Sequence, residues 1–490
     1  MTRNIVFVVM DTARAIDTSY VVDSPGRSES AIGRLVQEGT TFTNAFATAP
    51  WTLPSHASMF TGTFPSKHGA HAEHKYFASS PTLAEVLRYA GYDTAAVTNN
   101  VWIADEFGFE RGFDDLYKVW QYIQSETDFG GVAVTETGFE QFVAAGRVLF
   151  RGNALVNFLN GLYGKLLYRR NDYGAKRTND LVREWLASRE ETNANPFFLF
   201  VNYLEPHLKY QPPAVVARQY LPEGISYEEA MNVSQNQWKY IGGKVQLTEQ
   251  DLEVLRGLYR AEIAYLDYRI GKLREALEAA GEWEDTVIVV AGDHGENIGD
   301  HGLMDHQYSL HDTLLHVPLV VAGGEFSGGT SVDGLVQLHD LFPTLLDVAG
   351  VDAPEARECS QGRSLVPSAD TPTRNHVIAE YVGPQPSIES LERQVGELSS
   401  AVYEYDRGLR TIRTETEKLI VGSDGSSWLY DLKADPEERR EVSDNRPETA
   451  QTLRRYLSEW MDSFEQATFH ESVDMDEGTK RRLEDLGYLQ

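Results

Sequence analysis

Only one cysteine, Cys359, occurs in the 490 residues. A lone thiol excludes an intramolecular disulfide and any metal site built from several cysteines, and Cys359 itself reads as a small buried residue. Lysine is scarce, and basic residues together are outnumbered, 44 Lys and Arg against 74 Asp and Glu, for a formal charge of −30. That excess of negative charge argues against nucleic acid or an anionic membrane as partner. It suits a salt-rich cytoplasm, where screening removes self-repulsion, so a halophilic protein is expected. Long apolar runs are missing too. None approaches the ~20 residues of a membrane span, and the nearest, Val148 to Tyr168, is broken by Arg, Asn, Gly and Lys. The opening run Ile5 to Met10 is too short for a signal peptide and lacks a small-residue cleavage site, which gives the expectation of a cytoplasmic protein with no membrane span.

What is present is the pattern of an α/β protein. Ile5–Met10, Phe197–Val201 and Thr286–Ala291 are unalternated apolar runs, as in parallel strands buried on both faces. Thr94–Thr98 and Val317–Val321 read as further strands. Helices are expected from about Ser28 to Glu38, from Ser55 to Phe60 with Pro54 as first residue and Gly62 as stop, and from Pro81 to about Gly91. Two more are expected, one capped by Thr248 and ending near Gly281, the other from Asp340 to Val348. The alternation of strand and helix over residues 1–370 argues for βαβ units and a mostly parallel sheet. Insertions interrupt it at about 114–195, with an amphipathic section Ala145–Leu167 and a helix near Asn179–Ser188, and at about 212–247, read as a lid or substrate loop rather than core. In residues 371–490, four shorter strands (Val377–Tyr381, Leu409–Thr414, Glu417–Val421, Trp428–Leu432) and a helix over Glu448–Phe464 predict a small antiparallel subdomain.

Open α/β sheets bind ligands at the carboxyl ends of their strands. Asp11 follows the first strand, and Asp293-His294 follows Thr286–Ala291. Between them in sequence lies Ala49-Pro50-Trp51-Thr52-Leu53-Pro54-Ser55-His56, which puts the Thr52 hydroxyl at a helix N-terminus, where free N–H groups and the helix dipole favour an oxyanion. Two carboxylates, an imidazole and a hydroxyl suit Zn²⁺ or Mn²⁺, and less well Ca²⁺ or Mg²⁺. Asp11, Thr52, Asp293 and His294 are therefore the expected metal ligands, with the ion acidifying a Thr52 nucleophile.

These residues and several further motifs resemble the sulfatase family of the alkaline phosphatase superfamily. The shared features are Asp11, Thr52-Leu53-Pro54-Ser55-His56, Thr61-Gly62, Lys67-His68-Gly69, Asn202 to His207, Asp293-His294-Gly295-Glu296, Gly299-Asp300-His301-Gly302, Val317-Pro318-Leu319, Asp340 to Thr344, Gly362-Arg363-Ser364-Leu365, Leu429 to Leu432 and Asp435-Pro436. The resemblance implies a doubly wound α/β domain with a metal site at the sheet edge, and a metal-dependent ester hydrolase that works through a covalent enzyme intermediate. It also implies His207 as a substrate-binding residue able to protonate the leaving group, and puts His306, at a family lysine position, on the non-bridging oxygens.

The departures bear on the substrate. Family sulfatases carry Cys or Ser at the position of Thr52 and convert it to formylglycine, whereas oxidised threonine would be a methyl ketone that hydrates poorly. Thr52 would then attack directly as an alkoxide, as in phosphoryl-transfer branches of the superfamily. His56 stands at the motif arginine, Asn99-Asn100 at a sulfate-binding Lys and His, and Thr12 at a second Asp. His56, Asn99 and Asn100 are thus expected at substrate-contacting positions. The reading favours a phosphate ester of a small molecule, glycan or lipid head group, over a sulfate ester, and over a non-catalytic anion-binding relative. His301, His311, His316 and His339 read as structural or supporting groups, and His68, His71 and His74 leave a second metal open.

Overall fold

A computed structural model describes residues 3–23, 30–77, 81–121, 172–189, 195–369 and 374–467. The amphipathic section Ala145–Leu167 lies outside the described residues. Among those described, the main sheet is built from β1 (Asn4–Met10), β2 (Thr40–Phe46), β3 (Asp93–Thr98), β4 (Asp115–Lys118), β5 (Phe197–Tyr203) and β6 (Thr286–Gly292). After the short β7 (Asn297–Ile298) and β8 (Met304–Asp305), which form a hairpin of their own, come β9 (His316–Val317), β10 (Leu319–Ala322) and β11 (Thr330–Gln337). The order across the main sheet is β11-β2-β10-β6-β1-β5-β3-β4, with β9 on β2. All neighbours pair in parallel except β10, which is antiparallel to both β2 and β6, and β9, which is antiparallel to β2.

The apolar runs become central strands because both faces are covered. On β1, Ile5, Phe7 and Val9 enter the core that contains Ala57 and Phe60 of the Thr52–Thr61 helix and Leu345 of the Leu341–Ala349 helix. Val6, Val8 and Met10 face the other way, toward Leu266, Ile270 and Leu273 of the Glu249–Ala279 helix. Alternate residues of one strand thus bury into two helical layers. Removing a side chain such as Phe7 from such a core costs about 3–5 kcal/mol.

Several local expectations shift. The nucleophile helix begins at Thr52, so Pro54 is its third residue; its missing N–H falls among the first-turn donors that have no partner in any case. The next helix starts at Leu83 rather than at Pro81, with Thr82 as its cap through a reciprocal bond with Glu85. Pro318, with no N–H to give, breaks Val317–Val321 in two: Val317 pairs with Ala45 of β2, Leu319 with Ala291 of β6. Residues 212–247 are packed structure rather than a loop without core, since Ala217 and Ala230 bury against Leu252, Leu255 and Leu258 of the long helix. Cys359 is exposed, at the last position of the Pro354–Cys359 helix.

A second sheet, antiparallel in the order β12 (Val377–Tyr381), β13 (Leu409–Arg413), β14 (Glu417–Gly422) and β15 (Ser427–Asp431), packs Ile412, Leu419 and Leu429 on Leu453 and Leu457 of the Pro447–Met461 helix. It is joined to the main sheet by Glu380 N–H to Thr48 O at 2.9 Å and Gln337 Nε2 to Ile378 O at 2.7 Å. No helix among the described residues is long and apolar enough to cross a membrane.

Candidate active site

Because β1, β2 and β6 point the same way, Asp11, the turn leading to Thr52, and Asp293-His294 leave the sheet at one edge. Asp11, Thr52, Asp293 and His294 are all buried, the most exposed being Thr52 at 1 %. The turn after Asp11 is held by Thr12, a residue in the left-handed region (φ 62°) that β-branched side chains rarely adopt. Its N–H donates to Asp293 Oδ1 at 3.0 Å and its carbonyl accepts from the Tyr259 hydroxyl at 2.6 Å. On the other side Gly295 lets the chain pass close to Thr313, whose carbonyl a Cβ would strike. Ser55 Oγ donates to Asp293 O at 2.6 Å, fastening the nucleophile helix to the β6 loop.

The Thr52 hydroxyl stands 3.4 Å from His294 Nε2 and 3.3 Å from Asn100 Nδ2. Asn100 also donates to Asp11 Oδ2 at 2.5 Å, so one amide spans nucleophile and carboxylate. His294 Nδ1–H donates to Gly295 O at 2.9 Å, which leaves the Nε2 lone pair directed at the cluster; a carbonyl that fixes the tautomer in this way is the usual support of a metal-ligating histidine. Asp11 Oδ1 and Asp293 Oδ2 are buried with no hydrogen-bond partner. Donor atoms of Asp11, Asp293 and His294 lie within 4.8 Å of one another. Orphaned carboxylate oxygens and an imidazole lone pair converging in a dry site fit a divalent cation.

The electrostatics agree. Burial, then the charge of Asp293, push Asp11 well above the usual carboxylate range, and burial raises Asp293 to about 7. Burial, then His306, drive His294 well below the ordinary imidazole value. Each carboxylate is short of positive charge.

His56 donates Nδ1–H to the Thr52 carbonyl at 2.9 Å, and burial lowers it to about 3, so it is neutral and brings no cation to the arginine position. Of the asparagine pair, Asn100 reaches Thr52, whereas Asn99 Nδ2 donates to Tyr173 O at 2.5 Å. The His306 ring lies 4.6 Å from that of His294 and 5.3 Å from that of His207. Burial opposes a charge on His306, but Asp305 and Glu296 reverse this and raise it to about 10. His207 sets Nδ1 against Leu208 O at 2.5 Å, and burial with His306 lowers it to about 4. In that state its Nε2 offers a lone pair and not the proton expected for a leaving group.

His68 and His71 do not gather into a cation site: His68 bonds to Ser58 Oγ (3.1 Å) and accepts from Ala70 N–H (3.1 Å), and His71 accepts from Glu73 N–H (3.3 Å). Among the described residues the other group of metal-type donors is Glu296, Asp305 and His306. Glu296 and Asp305 carried no role in the sequence reading. The available signal was the repetition of Asp-His at 293–294, 300–301 and 305–306 within one turn-rich stretch.

Comparison with known proteins agrees with this geometry. The sulfatase family model matches residues 3–351. Among curated relatives, arylsulfatase K of Xenopus laevis is 23% identical, with 88% of this chain and 77% of that protein covered. Choline-sulfatase of Rhizobium meliloti (strain 1021) is 26% identical, with 84% and 77% covered. Among solved structures, the phosphonate monoester hydrolase of Agrobacterium radiobacter shares the fold with a TM-score of 0.66 at 20% identity, covering 94% of this chain and 95% of that one. The chain belongs to the sulfatase family of the alkaline phosphatase superfamily and is an ester hydrolase of that superfamily.

Proposed function

We propose that this enzyme cleaves a phosphate ester, with Thr52 as a direct nucleophile that carries the phosphoryl group between two in-line steps. The observation that supports the reading is the threonine itself, placed with its hydroxyl between Asn100 Nδ2 and His294 Nε2. The Cβ methyl closes the aldehyde route, because oxidation would give a ketone. A formylglycine releases sulfate by elimination at carbon, whereas a sulfated threonine would need a second attack at sulfur. A phosphorylated threonine is released by ordinary displacement at phosphorus.

In the first step the bond from Thr52 Oγ1 to phosphorus forms as the ester P–O bond breaks, and the proton that the Thr52 hydroxyl gives up balances the one that the leaving oxygen takes to depart as the alcohol. In the second, water attacks phosphorus, the P–O bond to Thr52 Oγ1 breaks to release phosphate, and a proton of the water returns to Thr52 Oγ1. Asn100 orients both Thr52 and Asp11, and His207 Nε2 is placed to accept a hydrogen bond from substrate or water. Asp11, Asp293 and His294 would hold a divalent cation, whose charge would acidify the hydroxyl and neutralise the oxyanion. The ester is that of a small molecule, glycan or lipid head group.

A second reading, sulfate ester hydrolysis, is favoured by the sulfatase names of the two curated relatives given above. A parallel assay of aryl phosphate, aryl phosphodiester and aryl sulfate, in high salt with several divalent metals, separates the two. Turnover of a phosphate ester above aryl sulfate is expected; robust aryl sulfate turnover with negligible phosphate ester turnover overturns the preference.

A further inference from the structure

We propose that a cleft at one end of the small antiparallel sheet, between Arg410 and Arg454, binds a small organic anion with one oxyanion head on a short apolar body. On the face of this sheet that the Pro447–Met461 helix covers, Ile378 of β12, Ile412 of β13 and Leu419 of β14 pack on Leu453 and Leu457. Two residues further along each strand the same face carries Glu380, Arg410 and Val421, with Glu380 opposite Arg410 and Arg410 opposite Val421. The apolar layer stops there. An opening of about 230 Å³ remains between this end of the sheet and the helix. The helix lines it with Arg454, Leu457, Ser458 and Met461, whose spacing of three, four and seven residues puts them on one face.

The two arginines carry the argument. Arg410 gives Nε to Glu380 Oε1 at 2.8 Å, while its two Nη groups make no hydrogen bond among the described residues. Arg455 pairs with Glu459 at 3.8 Å, but Arg454, on the cleft side, has no ion-pair partner among the described residues. No residue that lines the cleft is acidic. Glu380 is not part of the lining, and its Oε2 accepts from Ser66 N–H at 2.9 Å. Asp424, next in sequence to Ser423 of the lining, is taken by Arg407 at 2.9 Å. In a chain with 74 acidic against 44 basic residues, two arginines without an acid make a local positive site.

The chemistry of the walls defines the ligand. A guanidinium presents a planar fork of donors that matches carboxylate, sulfate or phosphate oxygens in pairs. Val421, Leu457 and Met461 offer apolar surface beside it, which favours an organic anion over an inorganic one. The volume lies below the roughly 300–1,000 Å³ of sites for drug-sized ligands, so the body is short. The inference is independent of the ester cleaved at Thr52.

The full chain, loaded with Zn²⁺, is titrated with para-fluorobenzoate, with para-fluorobenzenesulfonate, whose head stands in for sulfate or phosphate, and with neutral para-fluorobenzamide, each followed by fluorine magnetic resonance. Saturable binding of at least one of the anions is expected, about tenfold or more tighter than that of the amide. It should persist in Asp293→Ala, which separates it from the metal site. Arg454→Glu reverses the charge and Ser458→Trp fills the space, both at exposed helix positions that should leave the melting temperature unchanged. Each should weaken anion binding by about tenfold or more. Absence of saturable binding by both anions overturns the proposal, as does equal affinity for the amide, loss of binding in Asp293→Ala, or unchanged affinity in either folded cleft variant.

Discussion

Two buried charged clusters are treated in opposite ways. Where the small sheet meets the main body, Asp312 receives Lys418 Nζ at 2.7 Å and Arg413 Nε at 2.9 Å, and Lys418 also reaches Glu438 at 2.8 Å. Acids and bases there are equal in number, two of each. At the sheet edge, the ion-pair partners of Asp293, Glu296 and Asp305 are histidines, and Asp11, Asp293 and Glu296 keep oxygens with no hydrogen-bond partner. Despite burial, Asp312 is held below the usual carboxylate range by Lys418 and Arg413, whereas burial lifts Glu438, which shares only Lys418, to about 7, as it lifts Asp293 and Glu296 at the sheet edge. A closed cluster holds the architecture together, and an open one stores affinity for what it lacks.

The sharpest way to break the comparison is at the nucleophile. Thr52→Ala should lose several orders of magnitude in kcat/KM with little change in melting temperature, and Thr52→Ser should keep part of the rate because the hydroxyl survives. Next comes the contrast between clusters. Asp293→Ala should abolish metal retention and activity while the fold persists, since it removes an uncompensated charge. Lys418→Met should instead destabilise the fold by about 3–5 kcal/mol, by leaving Asp312 and Glu438 short of a cation. Denaturant melts and metal analysis on both variants check this pair.

The pH dependence of the metal-free protein gives a smaller effect. Asp293 and Glu296 keep their protons in the folded state up to about pH 7 but lose them near pH 4 when unfolded, so the folded state binds more protons between those values. Stability of the stripped protein should therefore fall as pH rises from about 4 to about 7. Added Mn²⁺ should rescue it most at the upper end, as thermal melts across that range would show. Salt should act most gently. With a charge of −30, the melting temperature should rise from dilute to molar salt as the Debye length shrinks to roughly 3 Å. A melting temperature indifferent to salt would show the surface acids already neutralised.

Much of the site was legible because continuous apolar runs mark doubly buried strands, and a parallel sheet sends every strand end to one edge. Asp11, Thr52, Asp293 and His294 followed from that rule. Less legible were elements whose burial is partial. Thr330–Gln337 is exposed over its first half and carries a glycine, and Ala15–Val22 buries polar Asp17 and Thr18 rather than an apolar stripe. Glu296 and Asp305 were hidden because their meeting depends on a two-residue hairpin that leaves no periodicity. The neutrality of His56 and His207 was hidden too, since burial and a carbonyl partner decide it and neither shows in the residue type.

The account rests on Thr52 as the atom that attacks, and rapid acid quenching during turnover of an aryl phosphate ester tests it most directly. Peptide mass spectrometry should find an unmodified Thr52 in the resting enzyme and a phosphoryl group on that residue in the quenched one. A quenched enzyme with Thr52 unlabelled, together with full activity in Thr52→Ala, would contradict it.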